Sequence, residues 1–277
     1  MSGAGNDFIL FDKKINPELE LNPQIIIDLC KRRTGIGADG VLLVENEDDS
    51  GYKIKYYNSD GSTGSLCANG ARCALKYGVE SRRYGFLPVD FWVNETGYSG
   101  EVFENGLVKF NLNQPKDLKR NFKIKAAGQL INASYINTGS PHVVIKVEDV
   151  LRDPKNLSSV YRDIAELPVY ELGKEIRYSK DFAPDGTNVN FIELKDGKIN
   201  IRSYERGVEE ETLSCGTGSV AAAVIMFMND EVKPPVKLLA KSGAELVVDF
   251  QIINNKLQNL SLTGPAEITF KGELTIN

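Results

Sequence analysis

Two short stretches constrain this chain more than anything else in it. Residues 65–73 read SLCANGARC and residues 213–219 read LSCGTGS. Each sets a cysteine directly before small residues, with a helix-like run beyond, ALKYG in the first case and AAAVIMFM in the second. The surroundings repeat too. Ile54 and Ile201, Tyr57 and Tyr204, and Asn58 and Glu205 are each 147 residues apart, while Cys67 and Cys215, and Glu45 and Glu193, are 148 apart. Pairs clustered at one offset predict a duplicated domain with one such cysteine per copy. The 277-residue length agrees, since a domain takes about 150 residues.

Composition narrows the function. A chain 42% hydrophobic and 26% charged can bury an ample core. The net charge of −5, and a longest basic cluster of only CKRR (30–33), exclude nucleic acid as the main partner. The longest apolar run, VAAAVIMFM (220–228), is far short of a membrane span. The opening MSGAGNDFIL has neither the basic segment nor the apolar core of a signal peptide, which predicts a cytoplasmic location. Four cysteines are too few for a disulfide scaffold, and one histidine with no CxxC pair argues against a metal site. Cys30 and Cys73 read as buried filler.

Patterning predicts short strands at 7–12, 40–45, 52–58, 89–93 and 106–112, then at 134–139, 142–147, 188–194, 198–205, 236–240, 244–250, 258–262 and 266–270. Helices are expected over 22–33, after Cys67, after Cys215, and over 156–167. The polar NLNQPKDLKRN (111–121) reads as the crossover between domains, and the VEEE run (208–211) as a solvated loop.

The first N–H groups of a helix lack internal partners, and its dipole there favours negative charge. A cysteine at such a place has its thiolate stabilised, its pKa falling from ~8.5 to roughly 3.5–7.5. The same N–H groups can hold a carboxylate, and small residues let it approach closely. Two such thiols, one per domain and converging on a cleft, suit proton removal from one face of a carbon and proton delivery to the other. That inverts a stereocentre with no cofactor. GIGADG (35–40) is no dinucleotide fingerprint, because a strand-like run follows it where a helix should start. The paired cysteines make pyridoxal phosphate unnecessary.

GAGNDF (3–8), GIGADG (35–40), NSDGSTGSLCANGARCA (58–74), GSPHVV (139–144), GTNVNF (186–191) and YERGVEEETLSCGTGS (204–219) together resemble the diaminopimelate epimerase family in content and order. The resemblance implies an α+β fold of two similar domains related by pseudo-twofold symmetry, each a curved, mostly antiparallel sheet around a central helix. The domains would be 1–114, with strands of 263–277 returning to it, and 115–262. It also implies a cofactor-independent, two-base interconversion of LL- and meso-2,6-diaminopimelate on the route to lysine and peptidoglycan precursors, by a homodimer. Cys67 would be the proton donor and Cys215 the acceptor, with His142 and Glu205 beside the reacting centre. Asn6, Asn58, Asn188, Glu205 and Arg206, and the backbone at Ala68, Asn69, Gly216 and Thr217, would bind substrate.

The chain departs from the family in four places. Ser140 stands where asparagine is common, and Ala68 replaces a usual glycine, which requires a negative φ there. The acidic GVEEET carries an insertion, and the opening strand starts several residues late, so a natural start upstream of Met1 is expected. Proline-racemase-like and phenazine-type isomerases share the general fold, and the former also use two cysteines. The asparagine set and Glu205–Arg206 favour diaminopimelate over these, and over a catalytically idle binding homologue.

Overall fold

In the computed structural model the β-rich runs assemble into two units, one of Met1–Leu112 with Thr263–Asn277 and one of Asn113–Leu262. The structure describes residues 1–46, 52–64, 67–254 and 256–276, so Ser65 and Leu66 of the first cysteine motif lie outside the described residues.

The first unit contains β1 (Ser2–Gly3), β2 (Asn6–Asp12), α1 (Pro23–Cys30), β3 (Gly40–Asn46), β4 (Tyr52–Asn58), α2 (Ala68–Glu80), β5 (Val89–Val93), β6 (Thr96–Val102) and β7 (Val108–Asn111). Its strands lie in sequence order, parallel at β2/β3 and β4/β5 and antiparallel elsewhere. The chain enters β2 through a two-residue hairpin, Ala4 and Gly5, with φ of 59° and 112°. Positive φ at both central residues matches the right-handed twist of the flanking strands, and it delivers Asn6 at the first position of β2. Ser2 and Glu267 exchange both backbone hydrogen bonds at 2.8 Å, which ties the C-terminal residues to this unit. The strand expected over 266–270 reduces to this single bridge; Phe270 beyond it is exposed.

α2 touches β1, β2, β3, β4, β6 and β7, so the sheet curves around it. Every residue from Ala68 to Leu75 is buried. Small residues make this possible: a Cβ on Gly3 would lie 2.6 Å from the Asn69 carbonyl oxygen, and one on Gly100 would lie 2.5 Å from Leu75 Cδ1.

The second unit contains β8 (Lys116–Ala126), β9 (Gln129–Asn137), β10 (Pro141–Lys146), α3 (Val169–Arg177), β11 (Asn188–Lys195), β12 (Lys198–Glu205), β13 (Glu210–Thr212), α4 (Gly216–Met228), β14 (Val236–Ala240), β15 (Glu245–Ile253) and β16 (Lys256–Gly264). The order is β16-β15-β14-β12-β11-β10-β9-β8, with β13 added to β12. β10/β11 and β12/β14 are parallel, as β2/β3 and β4/β5 are in the first unit. α4 touches β9, β10, β11, β12, β14 and β15 and is buried from Gly216 to Met226. A helix apolar on every side has to be enclosed, and the sheet encloses it. The α+β class expected from the sequence is what the chain adopts, few helices against a mixed, mostly antiparallel set of strands.

Three local expectations are corrected. Residues 156–167 form no α-helix, only a single 3-10 turn at Ile164–Glu166. There the Ser159 hydroxyl bonds the carbonyls of Asp153 and Asn156, and Asn156 Oδ1 accepts from Ser158 N; such local bonds compete with helix formation. The helix lies instead at α3, where Val169, Leu172, Gly173 and Ile176 form its buried stripe. The crossover at 111–121 is largely strand, because β8 begins at Lys116. It is a polar, exposed edge strand whose register against β9 shifts twice, with positive φ at Asp117 and Asn121. The VEEE run is a loop only in its first half: Val208 and Glu209 lie in a turn, with Val208 exposed, while Glu210 and Glu211 are strand. Glu210 starts β13, Glu209 pairs with Arg177 at 3.0 Å, and Glu211 pairs with Arg202 at 2.6 Å and Lys241 at 2.9 Å.

Candidate functional site

Cys67 and Cys215 take the same backbone role. Each is the N-cap of a 13-residue helix, with φ, ψ of −109°, 102° and −113°, 109°. Cys67 Sγ accepts the Gly70 N–H at 3.4 Å. Ala68 and Asn69 open α2, and Gly216 and Thr217 open α4, the positions whose N–H groups have no intrahelical acceptor. Ala68 is not among the residues with positive φ, so its side chain carries no strain there. The other two cysteines differ in kind. Burial pushes the Cys30 thiol up to about 11 and the Cys73 thiol up to about 12, which leaves both protonated and unreactive at neutral pH. Cys67 is half-buried and Cys215 is buried.

In the first unit a chain of amides leads into the helix start. Asn6 Nδ2 donates to Asp39 Oδ2 at 2.9 Å, Asn69 Nδ2 donates to Asn6 Oδ1 at 2.5 Å, and Arg72 Nη2 donates to Asn69 Oδ1 at 2.7 Å. Arg32 closes the outer end, with Nη2 at 2.7 Å from Asp7 and 2.8 Å from Asp39. Burial raises the Asp7 carboxyl, but the bonds from Arg32 outweigh it and hold it below the usual carboxylate range. Asn6 and Asn69 are thus brought together beside Cys67. Asn58 belongs to a turn of its own, with Nδ2 donating to Ser62 Oγ at 3.0 Å and its N–H to the Ser62 carbonyl at 2.9 Å. Asp39 and Arg72 were missed from the sequence. Asp39 sits within GIGADG, which reads locally as a loop and shows its role only when β2 and β3 pair.

In the second unit the network is neutral. Asn190 Nδ2 donates to the Val143 carbonyl at 3.0 Å, and Asn190 Oδ1 accepts from Ser203 Oγ at 2.9 Å. This orients the amide, so His142 Nδ1, 3.1 Å from Asn190 Nδ2, is an acceptor. The ring proton then lies on Nε2, 2.9 Å from both Thr217 Oγ1 and Ser140 Oγ. Thr217 Oγ1 is 3.7 Å from Cys215 Sγ. Burial, helped by the positive charge of Arg206, pushes His142 down to about 3. His142, Thr217 and Cys215 therefore form one connected group. Ser140 joins it, and Asn190 is the member that sequence reading missed.

Asn188 acts as a latch: Nδ2 donates to the Pro141 carbonyl at 2.8 Å, and Oδ1 accepts the Arg206 N–H at 2.9 Å. Glu205 is hydrogen-bonded by the Thr212 hydroxyl, and Arg206 Nη1 reaches the Asp185 carbonyl at 3.4 Å. Among the described residues no group of three or more His, Cys, Asp or Glu is placed to hold a metal ion, and no helix is long and apolar enough to cross a membrane.

The family model described as diaminopimelate epimerase matches residues 1–85 and 134–269. The chain is 36% identical to the diaminopimelate epimerase of Chlorobaculum tepidum over the full length of both. It is 35% identical to that of Aquifex aeolicus, over 99% of this chain and 96% of that one. Among solved structures it is similar in fold to a PhzF-family phenazine biosynthesis protein from Bacillus anthracis (TM-score 0.67, 14% identity, 96% and 92% of the two chains). It is equally similar to a probable proline racemase from Agrobacterium radiobacter (TM-score 0.67, 14% identity, 92% and 81%).

Proposed function

The chain belongs to the diaminopimelate epimerase family, and from that premise we propose that it interconverts LL- and meso-2,6-diaminopimelate through the thiols of Cys67 and Cys215. The observation that carries this reading is the repeated geometry: two cysteines, one per unit, each the N-cap of a buried helix with nearly the same φ and ψ. One thiolate takes the α-proton, so that a C–H bond breaks and an S–H bond forms. The other thiol gives its proton to the opposite face of the resulting carbanion. Written with Cys215 as acceptor and Cys67 as donor the reaction runs one way, and the exchanged roles run it in reverse.

The helix openings at Ala68–Asn69 and Gly216–Thr217 supply N–H groups for the α-carboxylate, whose charge rises as the carbanion forms. Neutral His142 serves as a hydrogen-bond donor through Nε2 and orients Thr217 beside Cys215. Asn6 and Asn58 offer amides, and Glu205 and Arg206 opposite charges, to the rest of a zwitterionic substrate. Asn188 contributes by holding Arg206. We place the enzyme in the cytoplasm as a homodimer, on the route to lysine and peptidoglycan precursors.

The test is incubation with LL-diaminopimelate in D₂O, following α-deuterium and the LL/meso ratio together. Two bases predict that early product carries deuterium while recovered substrate remains protiated. Cys67→Ala and Cys215→Ala are expected to lose epimerisation, and Cys73→Ala to keep most of it. Robust turnover in either of the first two variants would remove the proposal. Racemisation of proline with none of diaminopimelate would move the chain to the other isomerase class.

A further inference from the structure

One buried position breaks the match between the two helices. Arg72 stands five residues after Cys67, and Val220 stands five residues after Cys215. Both are fully buried. The Arg72 guanidinium folds back to the start of α2, with Nη2 on Asn69 Oδ1 at 2.7 Å and Nη1 3.3 Å from the carbonyl of Ala68, the residue after Cys67. Its Nε has no hydrogen-bond partner among the described residues. The nearest carboxylate along the hydrogen bonds is Asp39, reached through Asn69 and Asn6 and already paired with Arg32. A buried cation with no adjacent anion is costly, and guanidinium sheds its proton less readily than any other basic side chain. Burial pulls Arg72 down to about 10, still charged at neutral pH.

An anion at Cys67 Sγ relieves that cost. Among the described residues, several charged groups on the elements around α2 are engaged elsewhere. Asp7 and Asp39 bind Arg32, Asp12 binds Arg83, Lys55 binds Glu45, and Lys109 binds Glu101. The Met1 ammonium, lowered by burial, faces Cys73, which is itself held protonated. Around α4 the pairs Lys146–Glu231, Arg202–Glu211 and Lys198–Glu245 are likewise closed. The hydrogen-bonded series that runs from Cys215 through Thr217 to His142 and Asn190 is made of neutral groups. Arg206, whose charge acts on His142, is half-exposed and bound to a carbonyl.

We infer that Arg72 is a positioning residue that draws ionisation to Cys67, so that the resting enzyme holds its thiolate in the first unit and a neutral thiol at Cys215. This rests on the reading that both thiols transfer protons, yet it can be tested without turnover. Cysteine labelled with ¹³C at Cβ reports thiol and thiolate by chemical shift whether or not the sulfur is exposed, and Cys67→Ala and Cys215→Ala assign the two signals. In the unaltered protein the Cys67 midpoint is expected about one pH unit or more below that of Cys215. Arg72→Met should raise the Cys67 midpoint by about one unit and leave Cys215 in place, while Arg72→Lys, which keeps the charge, should stay close to the unaltered value.

Coincident midpoints, or Cys215 below Cys67, overturn the inference, as does an unmoved Cys67 in Arg72→Met. Should Arg72→Met fail to fold by circular dichroism, the order of midpoints in the unaltered protein and in Arg72→Lys decides. A raised KM with no movement of the Cys67 midpoint would assign Arg72 to the substrate instead, and so also overturn it. Absence of epimerisation in the unaltered protein would count against the proposed function alone, because the titration does not depend on it.

Discussion

His142 has no exposed surface, and the groups that complete its hydrogen bonds are an amide and two hydroxyls. Burial makes its charged form so unfavourable that it titrates near 3, against about 6.5 in an unfolded chain. The ring is therefore a neutral donor at physiological pH and no reservoir of protons. A depressed folded-state value gives stability that is complete above about pH 6.5 and is lost as pH falls toward the folded value, at up to about 1.4 kcal/mol per pH unit. Between pH 7 and 5 the protein should lose about 2 kcal/mol that His142→Gln does not lose, as read by urea unfolding at the two pH values. Gly218 offers a second check. A Cβ there would lie 2.2 Å from Asn190 Oδ1 and 3.1 Å from Cys215 Sγ, whereas one on Gly70 would meet only Leu42 at 3.2 Å and Phe8 at 3.4 Å. Since Ser203 holds Asn190, Gly218→Ala should displace the His142 network and lower kcat by about 10²-fold. Gly70→Ala should cost far less; equal effects in steady-state assays would contradict this.

At the scale of elements, the candidate side chains outside the two helix starts lie at or next to strand ends. The side chain of Asn188, first residue of β11, holds the start of β10 at Pro141 and the end of β12 at Arg206. Substituting alanine leaves a partly buried carbonyl and an N–H without this partner, at up to about 1–3 kcal/mol. Asn188→Ala is expected to unlatch Arg206, raising KM more than it lowers kcat and deprotecting the Arg206 amide in hydrogen exchange. Retained protection would show that the strand ends hold without it. β13 shows the same dependence on distant partners, because the acidic residues that look like a loop become strand when Arg202 and Lys241 meet Glu211.

At the scale of the whole molecule, one strand order occurs twice, and each copy closes its sheet around one helix. The first copy carries a buried ionic anchor. Asp12, at the end of β2, accepts from Tyr77 on α2 at 2.7 Å and from Arg83 just beyond that helix. The Asp12 and Arg83 side chains are only 5% and 9% exposed. Burial raises the Asp12 carboxyl, but the hydrogen bonds from Arg83 and Tyr77 outweigh it and leave it lowered. Its stability contribution is thus present above about pH 4 and disappears as pH falls through the folded value. Arg83→Met, which strands the carboxylate, should destabilise the protein by about 3–5 kcal/mol at neutral pH and by much less below pH 3. Equal losses at both pH values in thermal unfolding would indicate packing rather than charge.

The features legible in the string of residues are local or periodic. The duplication, the strands of alternating polarity and the two cysteines at helix starts depend on neighbours a few residues away or on a repeat visible in the string. The run 156–167, expected as helix, and α3, which was not, were told apart only by the structure, through the local bonds of Ser159 in one and the buried stripe of the other. Only the tertiary structure decided which polar groups became part of the candidate site. Asn6 meets Asp39 across 33 residues, Asn190 meets His142 across 48, and Asn69 meets Asn6 across 63. No local propensity encodes such pairs. Nor does the string distinguish Arg72 from a surface arginine: its charge gains meaning because the sheet closing around α2 removes water from it, while the matching position on α4 carries valine.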